Sequence, residues 1–276
     1  MTPPFSVEKP QTRSRLRFLG GRAYFILKRK LTWWLGSARY AMPDSSVRFE
    51  HIVFQHQSML LRPLKDVDMV LQHNKITNLR LSIARLNQVV IRPGETFSIW
   101  RLVGSPSASK GYLEGLTLHN GTISRGIGGG LCQLGNLLYW MVLHSPLTIT
   151  ERWRHGYDVF PDVNRTIPFG CGATLSYNYI DLQVRNDTAT TYQINLWLDD
   201  QYLRGEITCE SQPSVRYEIL ETDHRFELQW WGGYTRHNRI WKKCTNRQTN
   251  ETTMELVAEN NAVMMYNPLL ENDNIR

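Results

Sequence analysis

The stretch Gly126-Ile127-Gly128-Gly129-Gly130-Leu131-Cys132-Gln133 places four glycines ahead of a cysteine. Beyond it, apolar side chains recur with the spacing of one helix face: Leu131, Leu134, Leu137, Leu138, Met141 and Val142. Cys132 is therefore predicted in the first turn of a helix, where free backbone N–H groups and the helix dipole favour an anion. A thiolate is such an anion, so this position favours a nucleophilic cysteine.

The glycine stretch has two other interpretations. A free cysteine is most often a small, buried apolar side chain, so Cys132 as a core residue stays an open alternative. A phosphate-binding loop is disfavoured, because the Lys-Ser/Thr pair that completes such a loop does not follow Gly130.

Charge is distributed unevenly along the chain. The 276 residues carry a net charge of +7, yet residues 1–39 alone hold nine Lys or Arg against Glu8 as their single acid. The remainder is close to neutral, which disfavours a nucleic-acid-binding body. The chain is long enough for one sizeable core or two modest ones.

The four cysteines indicate neither a zinc site nor a need for disulfides. Cys132, Cys171, Cys209 and Cys244 are 35 to 39 residues apart and include no Cys-x-x-Cys pair. No metal or cofactor is expected. The longest apolar run near the start, Ala23–Leu27, is too short for a signal peptide or a spanning helix. The expected location is therefore cytoplasmic, with a peripheral position at the inner membrane face as an option.

An α+β fold is predicted, with a mixed or antiparallel sheet and a Gly-rich loop leading into a central helix that carries Cys132. The proposed division is a basic amphipathic segment (1–45), an α+β core (46–210) and a β-rich C-terminal extension packed on the core (211–276). A second helix is predicted over 66–88. Strands are expected at 47–55, 147–150, 173–179, 182–185, 192–198, 215–219 and 226–231.

Residues 13–36 have the pattern of a basic amphipathic helix. One face gathers apolar side chains: Leu16, Leu19, Ala23, Ile26, Leu27, Leu31 and Trp34. Such a helix either lies on an anionic membrane surface or packs its apolar face on the body and leaves the basic face in water. The pattern leaves both open.

A cysteine nucleophile needs a base, which is most often a histidine. His144 is on the same predicted helix, roughly 18 Å from Cys132, too far for proton transfer. His155 follows a predicted strand that returns after the helix, so it is the better candidate. Asp158 and Asp181 are candidates to orient it. His237, in a polar and aromatic group, is a candidate to line the same cleft.

Several ordered blocks resemble the VanW family: 93–98 (PGETFS), 128–133 (GGGLCQ), Glu151-Arg152 with His155, and Asp181-Leu182 with Asn186. The resemblance runs from about residue 73 to 210 and extends towards Tyr266. The chain looks most like stand-alone members, which are associated with B-type vancomycin resistance and cell-wall metabolism. One departure concerns position 172, where many members carry Asp before Ala-Thr and this chain has Gly172.

For exported members, the resemblance implies an L,D-transpeptidase that cross-links peptidoglycan stem peptides through the motif cysteine. Carried onto this chain, it makes Cys132 the nucleophile and His155 the base. Loop residues Gly128, Gly129, Gly130 and Gln133 would then contact substrate or the oxyanion.

Two functions from different classes follow. The first is a Cys/His acyl-transferase on peptidoglycan stem peptides, with Arg152, Trp100 and Tyr112 lining its cleft. The alternative is a non-catalytic accessory module that binds a cell-wall precursor, a membrane surface or a partner protein. The expected partners are a peptidoglycan peptide or precursor and an anionic membrane contacting 13–36; nucleic acid is not expected.

Overall fold

A computed structural model describes residues 14–61, 68–119, 121–159 and 166–268. Its helices are α1 (Arg15–Leu35), α2 (Met69–Leu86), α3 (Ile99–Val103) and α4 (Cys132–Leu143), with a short 3-10 helix at Ala108–Lys110. The first nine strands are β1 (Met42–Pro43), β2 (His51–Met59), β3 (Val89–Ile91), β4 (Thr96–Ser98), β5 (Glu114–His119), β6 (Thr122–Ile127), β7 (Thr148–Glu151), β8 (Tyr157–Asp158) and β9 (Gln183–Arg185). The others are β10 (Tyr192–Leu198), β11 (Tyr202–Cys209), β12 (Val215–Leu228), β13 (Tyr234–Asn246) and β14 (Thr252–Met264). The predicted α+β class is confirmed.

The largest sheet has five strands in the order β1-β3-β10-β11-β2, with every neighbouring pair antiparallel. Helix α4 contacts β11 and β2, and α2 contacts β10. Nearly the whole of α4 is buried, including Leu134, Leu137, Leu138 and Met141. Each such side chain contributes about 2 kcal/mol by leaving water, so α4 is fixed mainly by its packing.

A three-stranded antiparallel sheet in the order β4-β9-β7 positions a polar cluster. Gln183 at the start of β9 pairs with Ser98 on one side and with Glu151 on the other. Asp181 lies two residues before Gln183, so the sheet brings two carboxylates and a hydroxyl together.

The C-terminal strands form a separate four-stranded sheet in the order β12-β13-β14-β8. The three long strands are antiparallel, and the short β8 runs parallel to β14, with Tyr157 opposite Val263. This sheet therefore takes one strand from the predicted core segment. The predicted boundary at 210–211 falls between β11 and β12.

Helix α1 follows the predicted segment but contacts the body with an unexpected face. Arg29, placed by the sequence pattern away from the apolar stripe, donates to Glu151 at 2.6 and 2.8 Å and to the Asn178 carbonyl at 3.0 Å. Of the predicted stripe, Leu16 is 84% exposed and Trp34 80% exposed. The predicted alternative in which the apolar face packs on the body is thus wrong. The carboxylates of Glu151 and Asp181 bind Arg29 of this helix and turn its basic side towards the body.

Other elements follow the sequence to differing degrees. Helix α2 lies within the predicted 66–88, and β10 matches 192–198. The strand expected at 173–179 is wrong: this segment forms a turn closed by an isolated Ser176–Ile180 bridge, with Asn178 at φ 53°. Instead of two strands at 215–219 and 226–231, one long strand, β12, runs to Leu228 with a bulge between Thr222 and Arg225.

None of the described helices combines the length and the apolar character of a membrane-crossing segment.

Candidate functional site

The glycine turn ahead of α4 depends on backbone conformations that favour glycine. Gly128 and Gly130 have φ of +76° and +90°. Three consecutive amides are used inside the protein: Gly128 donates to Leu113, Gly129 to Gly126 and Gly130 to Leu116, at 2.8 to 3.0 Å. The turn therefore fastens the β5–β6 hairpin to the start of α4.

Two backbones touch at this turn without intervening side chains. A Cβ added to Gly129 would overlap the carbonyl carbon of Gly115, and one added to Gly115 would lie 2.5 Å from the Gly129 oxygen. The fully buried Asn78 of α2 forms hydrogen bonds with both of the touching segments. It donates to the carbonyls of Leu113 and Gly129 and accepts from the Leu113 amide. The sequence pattern predicts no role for Asn78, because this residue lies beside the apolar stripe of α2 and not within it.

Cys132 is the first residue of α4 and is half-buried. Its thiol lies 4.0 Å from the Leu175 carbonyl oxygen. Burial raises the pKa of the thiol, opposed by hydrogen bonds with the backbone of Leu175 and of Cys132 itself. The unliganded protein therefore holds Cys132 chiefly as a neutral thiol at pH 7, contrary to the expected anion.

Gln133 and the three loop glycines form hydrogen bonds within the protein. The Gln133 side chain donates to the Ser58 hydroxyl at 2.9 Å and to the Met59 carbonyl at 2.8 Å, and its amide donates to Gly130. Their predicted role in binding an oxyanion is not matched by this geometry, since these N–H groups already have acceptors. Across the described ranges, the amides of Leu131 and Cys132 donate to no backbone carbonyl, as is usual in a first helical turn.

His155 lines a cavity of about 200 Å³ together with Arg154, Tyr157, Thr174 and Ile180. Among the described residues, neither its buried Nε2 atom nor the buried Oγ1 of Thr174 has a hydrogen-bond partner. Burial lowers the pKa of His155, and the charge of Arg154 lowers it further. The imidazole is therefore neutral at pH 7 and able to accept a proton.

Cys132 and His155 approach the same short segment from different elements. The Cys132 thiol lies against Leu175, and Thr174 lines the His155 cavity. The Thr174 amide donates at 2.7 Å to Trp153, two residues before His155. Within the described residues no hydrogen bond joins the thiol to the imidazole. Segment 174–175 is the part of the chain that both groups have in common.

Asp181 is completely buried and belongs to a different cluster. Its carboxylate accepts from the Ser98 hydroxyl at 2.6 Å and from the amides of Trp100 and Leu182, with Arg29 at 3.5 Å. Burial raises its pKa to about 7. Its acceptor sites are occupied by these donors, so the predicted orientation of His155 by Asp181 is replaced by a structural role.

Asp158 and His237 are both held by the C-terminal sheet. Asp158 accepts from Arg236 at 3.2 Å and from Tyr266 at 2.9 Å. His237, on β13, has Thr235 at 2.7 Å from Nε2 and Asn261 at 2.5 Å from Nδ1. Because both ring nitrogens are engaged and the side chain is 1% exposed, the predicted cleft-lining role of His237 is not supported.

The other predicted cleft residues are mostly core. Trp100 is buried and donates its indole N–H to Ile180 at 2.7 Å, and Tyr112 is buried with its hydroxyl 3.2 Å from Ser82. Arg152 donates to the carbonyls of Gly170 and Gly172 and stacks over Tyr139 at 4.5 Å. It thus binds the loop that leads to Thr174 and not a substrate.

The space beside Gly172 is filled by a neighbour. A Cβ on Gly172 would lie 2.7 Å from the Asn136 side-chain oxygen, which accepts from the Ala173 amide at 2.8 Å. A carboxylate at 172 would require Asn136 to move. Asn136, one helical turn after Cys132, takes over the contact with this loop.

No cluster of three or more potential metal ligands occurs among the described side chains. The four cysteines, all of which lie within the described ranges, are free thiols.

Comparison with known proteins identifies the family of this chain. The family model described as VanW like protein matches residues 74–208. The chain is 40% identical over 196 residues to the vancomycin B-type resistance protein VanW of Enterococcus faecalis, covering 70% of this chain and 71% of that protein. The chain belongs to the VanW family. It is also 32% identical to uncharacterized protein YoaR of Bacillus subtilis, over 40% of this chain and 34% of that protein. No solved structure matches the chain.

The VanW match begins within α2 and ends in β11. It contains the glycine turn, Cys132, His155 and Asp181. Helix α1 and the three long strands of the C-terminal sheet lie outside it.

Proposed function

We propose that this VanW-family protein acts in cell-wall metabolism as a Cys/His acyl-transfer enzyme of the L,D-transpeptidase type, with peptidoglycan stem peptides as substrates. A relative named as a vancomycin resistance protein supports the link to glycopeptide resistance. Cys132 is the nucleophile and His155 the base in this proposal.

The observation that carries the proposal is that the buried Nε2 atom of His155 has no hydrogen-bond partner in the described part of the chain. A buried imidazole nitrogen without a partner costs free energy, about 1–3 kcal/mol, which a bound ligand would recover. The His155 residue lines a cavity that shares Thr174 with the segment beside the Cys132 thiol. A peptide lying along 174–175 would reach both groups.

The proposed reaction starts from neutral partners. The Cys132 sulfur attacks a peptide carbonyl carbon, a C–S bond forms, and the thiol proton passes to His155 Nε2. The C–N bond then breaks, and His155 returns the proton to the leaving amine. An acceptor amine or water attacks the thioester in the second half and restores the thiol. The amides of Leu131 and Cys132, which donate to no backbone carbonyl and lie at the positive end of α4, are the proposed oxyanion donors.

A second candidate is a non-catalytic module that binds a cell-wall peptide in the His155 cavity. The raised pKa of the Cys132 thiol favours it, as do the glycine amides that donate inside the protein. In this case Cys132 is a packing residue at the start of α4.

Mass spectrometry after incubation with muropeptide tetrapeptides tests the two. The catalytic proposal expects an acyl adduct on Cys132 that disappears in Cys132→Ala, forms at least 100-fold more slowly in His155→Gln and persists in the matched control Cys244→Ala. Peptide binding without any adduct, with affinity unchanged in Cys132→Ala, would establish the accessory module instead.

A further inference from the structure

Helix α1 turns its apolar face away from the protein. Leu16, Leu27, Leu31 and Trp34 are spaced to share one side of the helix, and they are 84%, 58%, 43% and 80% exposed. Ala23 completes this outer face and is exposed as well. A water-soluble surface rarely leaves so many large apolar side chains together without a partner.

The opposite side of α1 is anchored to the body. Arg29 is about 200° around the helix from Leu27 and Leu31, and it binds Glu151 and the Asn178 carbonyl. Phe25 packs on Tyr179 with ring centroids 5.6 Å apart, and Trp33 lies 5.6 Å from the Arg101 guanidinium. These contacts fix which side of α1 points outward.

Charge on the outer half of α1 is entirely positive. The sequence of α1 has six Lys or Arg and no acid. Arg17, Lys28 and Lys30 are exposed and flank the apolar face on both sides. Trp34 and Tyr24, both largely exposed, have the amphipathic rings that favour a membrane–water interface.

From these observations we infer that α1 is an interfacial membrane-docking helix whose ligand is an anionic lipid bilayer. The helix lies in the plane of the interface with Leu16, Leu27, Leu31 and Trp34 in the acyl boundary and the three flanking cations at the lipid head groups. A partner protein with an acidic groove or a second copy of the chain would have to match both features; a bilayer supplies them without a specific shape. This role is independent of the acyl-transfer proposal.

Vesicle co-sedimentation of the full chain tests the inference with phosphatidylglycerol–phosphatidylcholine and pure phosphatidylcholine vesicles. Binding to the anionic vesicles should exceed binding to the neutral ones. Lys28→Gln with Lys30→Gln should reduce the partition coefficient about 25-fold at low salt, since each cation near the surface contributes roughly fivefold. Leu27→Ser with Leu31→Ser should reduce it at least tenfold.

Met254→Ser with Leu256→Ser, on β14, is the matched control, because those side chains are 50% and 43% exposed. It should bind vesicles like the unchanged protein. Equal loss in the control and the α1 variant, or equal binding to neutral and anionic vesicles, would overturn the inference. A second result would also overturn it: no vesicle binding, together with a dimer in light scattering that Leu27→Ser with Leu31→Ser dissociates. In that case a second copy of the chain would cover the apolar face.

Discussion

The guanidinium of Arg29 binds both carboxylate oxygens of Glu151, at 2.6 and 2.8 Å, across 122 residues of sequence. The two side chains are only 14% and 21% exposed, so water screens this pair less than a surface pair. Through it, a helix outside the VanW-matched region is attached to the sheet that holds Asp181.

Replacing Arg29 with Met should destabilise the protein, because it leaves Glu151 and Asp181 without their cation. We expect a coupling free energy of about 2 kcal/mol between Arg29→Met and Glu151→Gln in a double-mutant cycle measured by urea denaturation. The control is the more exposed Arg92–Asp44 pair, where the same cycle should give less than about 1 kcal/mol. Similar coupling in both cycles would contradict the structural role of Arg29.

Asp181 should make stability fall as the pH rises from about 4 to about 7. Burial raises its folded-state pKa from 3.8 to about 7, so in this window the unfolded chain releases a proton that the folded protein keeps. The stabilisation is complete below about pH 4 and lost as pH approaches 7, at most about 4 kcal/mol. Asp181→Asn retains the shape and should flatten this part of the pH profile in denaturant titrations; an unchanged slope would show that Asp181 is ionised in the fold.

Cys132 should alkylate slowly in the unliganded protein. Because burial raises the pKa of its thiol, we expect iodoacetamide to modify it at least several-fold more slowly at pH 7 than Cys244, as followed by peptide mass spectrometry. The rate should increase with pH into the alkaline range. Faster modification of Cys132 than of Cys244 at pH 6 would instead indicate a thiolate formed without substrate.

Alanine at position 129 should be far more damaging than alanine at another glycine. Gly129→Ala forces a Cβ into the Gly115 backbone, and we expect a loss of at least about 3 kcal/mol in the free energy of unfolding. Gly20→Ala in α1 meets nothing within 4 Å and should stabilise the helix by about 0.5–1 kcal/mol. Thermal unfolding of both variants measures the difference; equal melting temperatures would rule out the close contact.

The sequence predicted best those elements whose signals are local. Apolar periodicity located α2, and a β-rich run located β10. The segment at 173–179 has strand-like composition too, but its turn is set by Asn178 at positive φ and by contacts with Trp153, neither of which a periodic pattern reveals.

Partners distant in the sequence were the main source of wrong site predictions. Asp181 was a candidate to orient His155 and His237 a candidate to line the cleft. Distant partners engage both side chains: Ser98 and Arg29 for Asp181, and Asn261 for His237. The outward face of α1 has the same origin: its amphipathic pattern was correct, but only the position of Glu151 determines which side meets the body.

The touching backbones of Gly115 and Gly129 have a consequence for how this sequence can change. Neither position can gain a side chain while the other strand stays in place, so no compensating substitution at one can rescue the other. Mutational scanning should therefore find that both positions are intolerant of substitution, and that no double substitution at 115 and 129 restores stability. The β5–β6 hairpin and the start of α4 would then keep their relative position in variants of this sequence.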